Sequence, residues 1–103
     1  MTTVDVFSDT ESITRTTMRP PSKFHVVLYN DDTTPMWFVV LVLISLYHKT
    51  MEEAKALTEH IHNNGTGVAG TYGHEIALQK KNETTAAAIA NGYPLKCEIS
   101  EST

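Results

Sequence analysis

A mainly polar run of seven residues, 30–36, joins a short apolar segment to a longer one, and this junction constrains the fold strongly. The segment before it, 24–29, is typical of a strand, and the segment after it is typical of a helix. Thr34 suits the N-cap of that helix, and Pro35 suits its first position, where a missing N–H is not needed. We therefore predict a strand, a sharp turn and a helix over about residues 35–48.

The turn itself concentrates hydrogen-bond acceptors. Asn30, Asp31 and Asp32 place a carboxamide next to two carboxylates at the point where the strand ends. Such a cluster suits a small cation such as an ammonium group, whose N–H groups need acceptors. The same side chains also suit a capped turn that binds no ligand. From these residues alone, both interpretations are open.

Further local signals divide the rest of the chain. Thr50 and Glu53 form the capping-box pattern that starts a second helix, and the run 63–65 ends it. The other predicted elements are a second strand at 67–72, a third helix at about 74–91 and a last strand at 95–99. The predicted fold is therefore α+β, with a three-stranded antiparallel sheet packed against three helices in the order β-α-α-β-α-β.

Composition and charge restrict the possible functions. The 103 residues suit one small domain, and the single cysteine, Cys97, cannot form an internal disulfide, which suits a reducing compartment. The net charge of −4 argues against nucleic-acid binding. The longest apolar segment, 36–47, is shorter than the ~20 residues that cross a bilayer, and no signal peptide is apparent. Residues 1–22 are rich in Thr and Ser, so we predict a flexible N-terminal tail on a core domain at 23–103.

Three stretches of the sequence resemble the ClpS family of N-end-rule adaptors. They are KFHVVLYNDDTTPMWFVVLVL at 23–43, EEAKALTEHIHNNGTGVAGTYGHEIALQK at 52–80 and GYPLKCEISE at 92–101. The combination of NDDxTPM before a helix, a His before an Asn/Gly-rich turn, and PLxC is specific. The resemblance implies a protein that is not an enzyme. Such a protein would bind the first residue of proteins that begin with Leu, Phe, Tyr or Trp and would deliver these proteins to the ClpA unfoldase of the ClpAP protease.

The resemblance also implies roles for individual positions. The positions that hold the α-amino group of the bound residue are Asn30, Asp31, Asp32 and His62. The positions that line the hydrophobic pocket are Thr34, Met36, Val39, Thr58, Ile61 and Leu95. Glu75 and Lys80 match the face that docks against the N-terminal domain of ClpA. We expect no cofactor, no metal and no membrane contact, and a location in the cytoplasm, a plastid stroma or the host cytoplasm of a virus.

The spacing of these residues is compatible with one site. Met36 and Val39 share a face of the first helix, and Thr58, Ile61 and His62 share a face of the second. If the two helices pack side by side, each contributes half of a pocket. Hydrogen bonds to a charged group are worth about 1.5–3 kcal/mol each. The ammonium contacts should therefore supply much of the affinity.

The chain departs from the family pattern at several positions. Thr58 stands where the family commonly has Met, which leaves the side-chain preference of the pocket open. Lys81 and Thr84 stand where apolar residues are expected in the third helix. We therefore expect that helix to pack weakly, through Ile76, Ala87, Ile89 and Ala90.

Another departure affects the first helix. Trp37, Leu41 and Ile44 form an apolar stripe on a face different from that of Met36 and Val39. Hereafter they are called the Trp37 stripe. If exposed, it predicts a contact surface for self-association or for another partner. Alternatively, the N-terminal tail or a shifted third helix covers it.

Other function classes find less support in the sequence. His60 and His62 are two residues apart on a helix and do not face each other, which argues against a metal site. The pair Asp31 and Asp32 could suggest acid–base catalysis, but no activated nucleophile accompanies it, and Cys97 should pack inward. His62 could also be a solvated residue at a helix end. The main alternative is a ClpS-like modulator or inhibitor that docks on ClpA but selects substrates poorly, and a small hydrolase or metal protein comes after it.

Overall fold

The computed structural model of the protein describes residues 22–102, so the predicted tail lies, except for Ser22, outside the described residues. The predicted element order is confirmed. The elements are β1 (Lys23–Tyr29), α1 (Met36–Tyr47), α2 (Met51–Asn64), β2 (Thr66–Gly73), α3 (His74–Ala90) and β3 (Lys96–Ser102).

The sheet has the strand order β2-β1-β3, and both pairings are antiparallel. On the central strand β1, Val26 and Leu28 are fully buried because alternate residues point to the same face of a strand. Cys97 of β3 stands opposite Leu28 and is also buried, as predicted. Burial raises the pKa of the Cys97 thiol to about 11, which keeps it protonated near neutral pH.

The first helix starts differently from the prediction. It begins at Met36, and its N-cap residue is Pro35, which has an extended backbone and no side chain able to cap. The Thr34 hydroxyl instead donates to Asp31 Oδ2 at 2.8 Å. The prediction of Thr34 as the N-cap is therefore wrong, because the neighbouring carboxylate accepts from its hydroxyl.

The second helix has the predicted capping box. Thr50 Oγ1 accepts from the Glu53 N–H at 3.1 Å, and Glu53 Oε1 accepts from the Thr50 N–H at 3.0 Å. The helix ends at Asn64 and is capped by Gly65, whose φ of 89° lies in the left-handed region that favours glycine. The Gly65 carbonyl accepts from the Asn30 N–H at 2.8 Å. This contact ties the end of α2 to the polar loop after β1.

The third helix packs through a face that was not predicted. Its buried residues are Ala77, Thr84 and Ala88. Of the four residues expected to pack it, Ala87 contacts the core, whereas Ile76, Ile89 and Ala90 are exposed. Thr84 is fully buried, and its hydroxyl lies 2.6 Å from the Tyr47 hydroxyl and donates to the Lys80 carbonyl at 2.8 Å. The unexpected polar residue is thus a bonded part of the α1–α3 contact.

Two features of residues 22–102 bear on other function classes. No helix in this range is long and apolar enough to cross a membrane. The same range contains no group of three or more His, Cys, Asp or Glu side chains arranged to hold a metal ion.

Candidate functional site

A narrow cleft lies where the polar loop after β1 meets α1, α2 and the residue preceding β3. Its lining residues are Tyr29, Asn30, Asp31, Thr34, Met36, Val39, Thr58, Ile61, His62 and Leu95. The structure thus brings together nine of the ten residues predicted for the α-amino site and the pocket. Asp32 is exposed and does not line the cleft. Tyr29 was not predicted, although its place directly before Asn30 at the end of β1 was a usable signal.

Asp31 organises the loop at the rim of the cleft. Its Oδ1 accepts from the N–H groups of Thr33 at 2.9 Å and Thr34 at 2.7 Å, and its Oδ2 accepts from the Thr34 hydroxyl. Partial burial tends to raise the pKa of Asp31, but the hydrogen bonds from Thr34 and Thr33 outweigh it and lower that pKa. Asp31 therefore contributes a fixed negative charge and holds the shape of the loop.

The rim presents polar side chains and the wall presents apolar ones. Asn30 and His62 are exposed at the rim, on the loop and near the end of α2. Val39, Ile61 and Leu95 are buried in the wall. A ligand with a cationic end and an apolar side chain would match this division.

Met36 lies at the mouth of the cleft. Its side chain is 45% exposed. The cleft has a volume of about 10 Å³, which is roughly the room that one water molecule needs. Met36 and Thr58 also line an open groove of about 480 Å³ on the side of Trp37 and Lys55. These two residues therefore form a partition between the cleft and that groove, and the Met36 chain is flexible enough to move.

Thr58 differs from the other wall residues. It is 3% exposed, and its hydroxyl oxygen has no hydrogen-bond partner among residues 22–102. Buried polar groups nearly always have a partner, so this atom requires an explanation.

The structure separates the two residues predicted to dock the unfoldase. Glu75 is exposed in the first turn of α3 and lines an open surface groove of about 590 Å³. Lys80 is partly buried, and its ammonium group donates to the Leu46 carbonyl at 2.7 Å. Residues five apart on a helix point about 140° away from each other. A single face of α3 therefore cannot present the side chains of Glu75 and Lys80 equally.

The Trp37 stripe is exposed in part. Trp37 is 59% and Leu41 51% exposed, and α3 does not cover them. Ile44 is half-buried and packs partly against the core, so the stripe faces outward mainly through Trp37 and Leu41. Together with Val40 and Met51, the stripe borders an open groove of about 350 Å³. The proposed cover by the N-terminal tail concerns residues outside the described range.

Comparisons with known proteins agree with this architecture. The family model described as "ATP-dependent Clp protease adaptor protein ClpS" matches residues 19–98. The chain belongs to the ClpS family. Members of this family are adaptor proteins of the Clp protease and not enzymes.

Individual ClpS relatives match over most of their length. The ATP-dependent Clp protease adapter protein ClpS of Clostridium acetobutylicum is 43% identical over 81 residues, which cover 79% of this chain and 80% of the relative. The ClpS protein of Campylobacter jejuni is 36% identical over 92 residues, which cover 89% and 96%. The solved structure of Agrobacterium tumefaciens ClpS2 bound to L-phenylalaninamide has a TM-score of 0.78 and 28% identity, covering 81% of this chain and all of that one.

Proposed function

We propose that this ClpS protein recognises proteins with a bulky hydrophobic N-terminal residue (Leu, Phe, Tyr or Trp) and delivers them to the ClpA unfoldase of the ClpAP protease. The observation that carries the proposal is the cleft itself, where polar side chains at the rim stand above a buried apolar wall. The Agrobacterium relative supports it, because L-phenylalaninamide combines a free α-amino group with a bulky apolar side chain.

The α-ammonium group of such a substrate has three N–H donors. Asn30 can offer its carboxamide oxygen, and neutral His62 can offer a ring nitrogen. Asp31 already accepts three hydrogen bonds from Thr33 and Thr34, so its main contribution would be its charge. Asp32 lies outside the cleft lining and would act on the ligand only at longer range.

The side chain of the substrate would enter between α1 and α2. The cleft volume of about 10 Å³ is far too small for a Leu or Phe side chain, so binding requires that a wall residue move. Met36 is the candidate, because it is long, unbranched and 45% exposed. Its displacement would connect the cleft with the neighbouring groove.

The narrow cleft also favours the alternative function. A ClpS-like modulator that docks on ClpA but selects substrates poorly would need no open pocket.

Of the two residues predicted to dock on ClpA, Glu75 is the better supported, because it is exposed. The ammonium group of Lys80 is engaged with the Leu46 carbonyl. Self-association through the Trp37 stripe stays a prediction, supported by the exposure of Trp37 and Leu41. The bacterial origin of the relatives supports the predicted cytoplasmic location.

The test is a panel of labelled peptides that differ only in their first residue, measured by fluorescence anisotropy. We expect binding to peptides that start with Leu, Phe, Tyr or Trp and much weaker binding to those that start with Ile or Met. Asn30→Ala and His62→Ala should each weaken binding about tenfold or more, because each removes a hydrogen bond to a charged group.

His60→Ala is the matched control, because His60 is exposed on the same helix and does not line the cleft. The affinity of His60→Ala for the peptides should equal that of the wild type. Binding to ClpA without binding to any peptide would favour the modulator. Peptide cleavage or metal dependence would instead favour an enzyme or a metal protein.

A further inference from the structure

Thr58 combines deep burial with an unpaired hydroxyl. It lies in α2, where a threonine hydroxyl often donates to the carbonyl four residues earlier. Here Thr58 Oγ1 makes no hydrogen bond with any residue in the range 22–102. Because the residue is 3% exposed, solvent outside the domain does not reach this atom freely either.

The other buried side chains in the wall of the cleft are apolar. The other buried residues in the wall of the cleft are Val39, Ile61 and Leu95, and the polar side chains of Asn30 and His62 lie exposed at the rim. A trapped water molecule needs two to four polar partners, and the other buried side chains of the wall offer none. The unpaired hydroxyl therefore costs free energy in the unliganded domain, and a suitable ligand atom can remove that cost.

We propose that Thr58 determines specificity by forming a hydrogen bond with the tip of the bound side chain, so that the protein prefers N-terminal tyrosine to phenylalanine. This inference rests on the proposed function. Tyrosine has the apolar body that the wall requires and a hydroxyl at its end that can donate or accept. Phenylalanine fills the same space but leaves Thr58 Oγ1 unpaired.

The position of Met36 makes the contact accessible. Met36 and Thr58 together separate the cleft from the groove of about 480 Å³. When the Met36 side chain moves aside, the path into the wall leads past Thr58. A long aromatic side chain that enters there meets the hydroxyl, whereas leucine has no polar atom to pair with it.

The test compares two peptides that differ only in a first residue of Tyr or Phe, each measured with wild type and Thr58→Val. Valine keeps the shape of threonine and removes the hydroxyl. We expect wild type to bind the Tyr peptide about fivefold more tightly than the Phe peptide, as one neutral hydrogen bond allows. Thr58→Val should abolish this preference or reverse it, and Thr58→Ser, which keeps a hydroxyl, should retain it.

Two results would overturn the inference. Wild type that binds both peptides equally well contradicts it without any variant, and so does an unchanged Tyr-to-Phe ratio in Thr58→Val. In both cases the proposed function survives, because peptides are still bound. Failure of wild type to bind either peptide overturns the proposed function as well.

Discussion

Thr58 and Thr84 are the buried polar residues of the described range, and their surroundings are opposite. Thr84 lies between α3 and α1, where it contacts the Tyr47 hydroxyl and donates to the Lys80 carbonyl. Thr58 lies between α2 and the candidate cleft, where no described group bonds to it. Both residues are in helices, and both are shielded from solvent. The first is satisfied within the protein, and the second has capacity left for a ligand.

The two residues show that a buried hydroxyl can serve either the stability of the fold or the binding of a ligand, depending on whether it has a partner in the protein. A satisfied hydroxyl supports the fold, and its loss leaves a partner unpaired. An unsatisfied buried hydroxyl costs free energy in the folded protein, and a ligand atom that pairs with it removes that cost. Substitutions at these and neighbouring positions should therefore change the free energy of unfolding by different amounts and in different directions.

Thr84→Val should destabilise the protein by about 1–3 kcal/mol, because it leaves the buried Tyr47 hydroxyl with only a 3.4 Å contact to the Lys80 carbonyl. Urea denaturation of the purified variant measures the loss. The double variant Thr84→Val with Tyr47→Phe should lose less than the sum of the two single variants, because neither partner is then left unpaired. If the stability losses of the two single variants add up to that of the double variant, the hydrogen bond between Tyr47 and Thr84 contributes nothing to stability.

Asp31→Asn extends the comparison to the rim of the cleft. The lowered pKa of Asp31 means that its carboxylate stabilises the fold above the ordinary pKa of about 3.9, and that this contribution is lost as the pH falls through the lower, folded value. We expect Asp31→Asn to cost about 1 kcal/mol at pH 7. The difference from wild type should shrink in denaturation series run at pH values below 4.

The neighbouring variant Asp32→Asn provides the control, because Asp32 is exposed and lies outside the cleft lining. Its unfolding free energy at pH 7 should stay within about 0.5 kcal/mol of wild type, as is usual for surface positions. An Asp31→Asn variant as stable as wild type at pH 7 would mean that the three hydrogen bonds to the carboxylate do not hold the loop.

Thr58→Val should change stability in the opposite direction to Thr84→Val. Removing an unpaired buried hydroxyl while keeping the shape should be neutral or stabilise the protein by up to about 1 kcal/mol. Urea denaturation under the same conditions gives the comparison directly. A loss of 1 kcal/mol or more would show that Thr58 has a partner in the folded protein, and the contrast with Thr84 would fail.

Trp37→Glu tests the reverse situation, an apolar side chain that is exposed. We expect a change in unfolding free energy within about 0.5 kcal/mol, because Trp37 is 59% exposed. Sedimentation at high concentration should show association of wild type and a monomeric Trp37→Glu variant. Ile89→Glu, which changes an exposed residue outside the Trp37 stripe, should associate like wild type. A wild-type protein that stays strictly monomeric at high concentration would contradict the prediction of self-association.

The sequence predicted those features that depend on neighbouring residues. Capping signals at Thr50 and Gly65 define α2, and the junction at 30–36 defines the end of β1, whereas the residues of the cleft were implied by the resemblance to the ClpS family. Features that depend on distant parts of the chain were missed. Lys80 bonds to a carbonyl 34 residues away, and nothing local indicates that contact.

The packing face of α3 is a further feature that the sequence did not predict correctly. Apolar character favoured Ile76 and Ile89, yet both are exposed, because small residues occupy the stripe that contacts the core. Ala77, Thr84 and Ala88 lie seven and four residues apart, which is also a helical spacing. Choosing between the two stripes required knowing that Tyr47 bonds to Thr84 across the helix contact.

The central claim is that the rim of the cleft holds a free α-amino group. The most direct measurement compares one Phe-initiated peptide with the same peptide acetylated at its N-terminus, by calorimetry with the wild-type protein. We expect the free peptide to bind and the acetylated peptide to show no measurable binding, because acetylation removes the positive charge that faces Asp31 and two of the three N–H donors available to Asn30 and His62. Equal affinity for the two peptides would contradict the account.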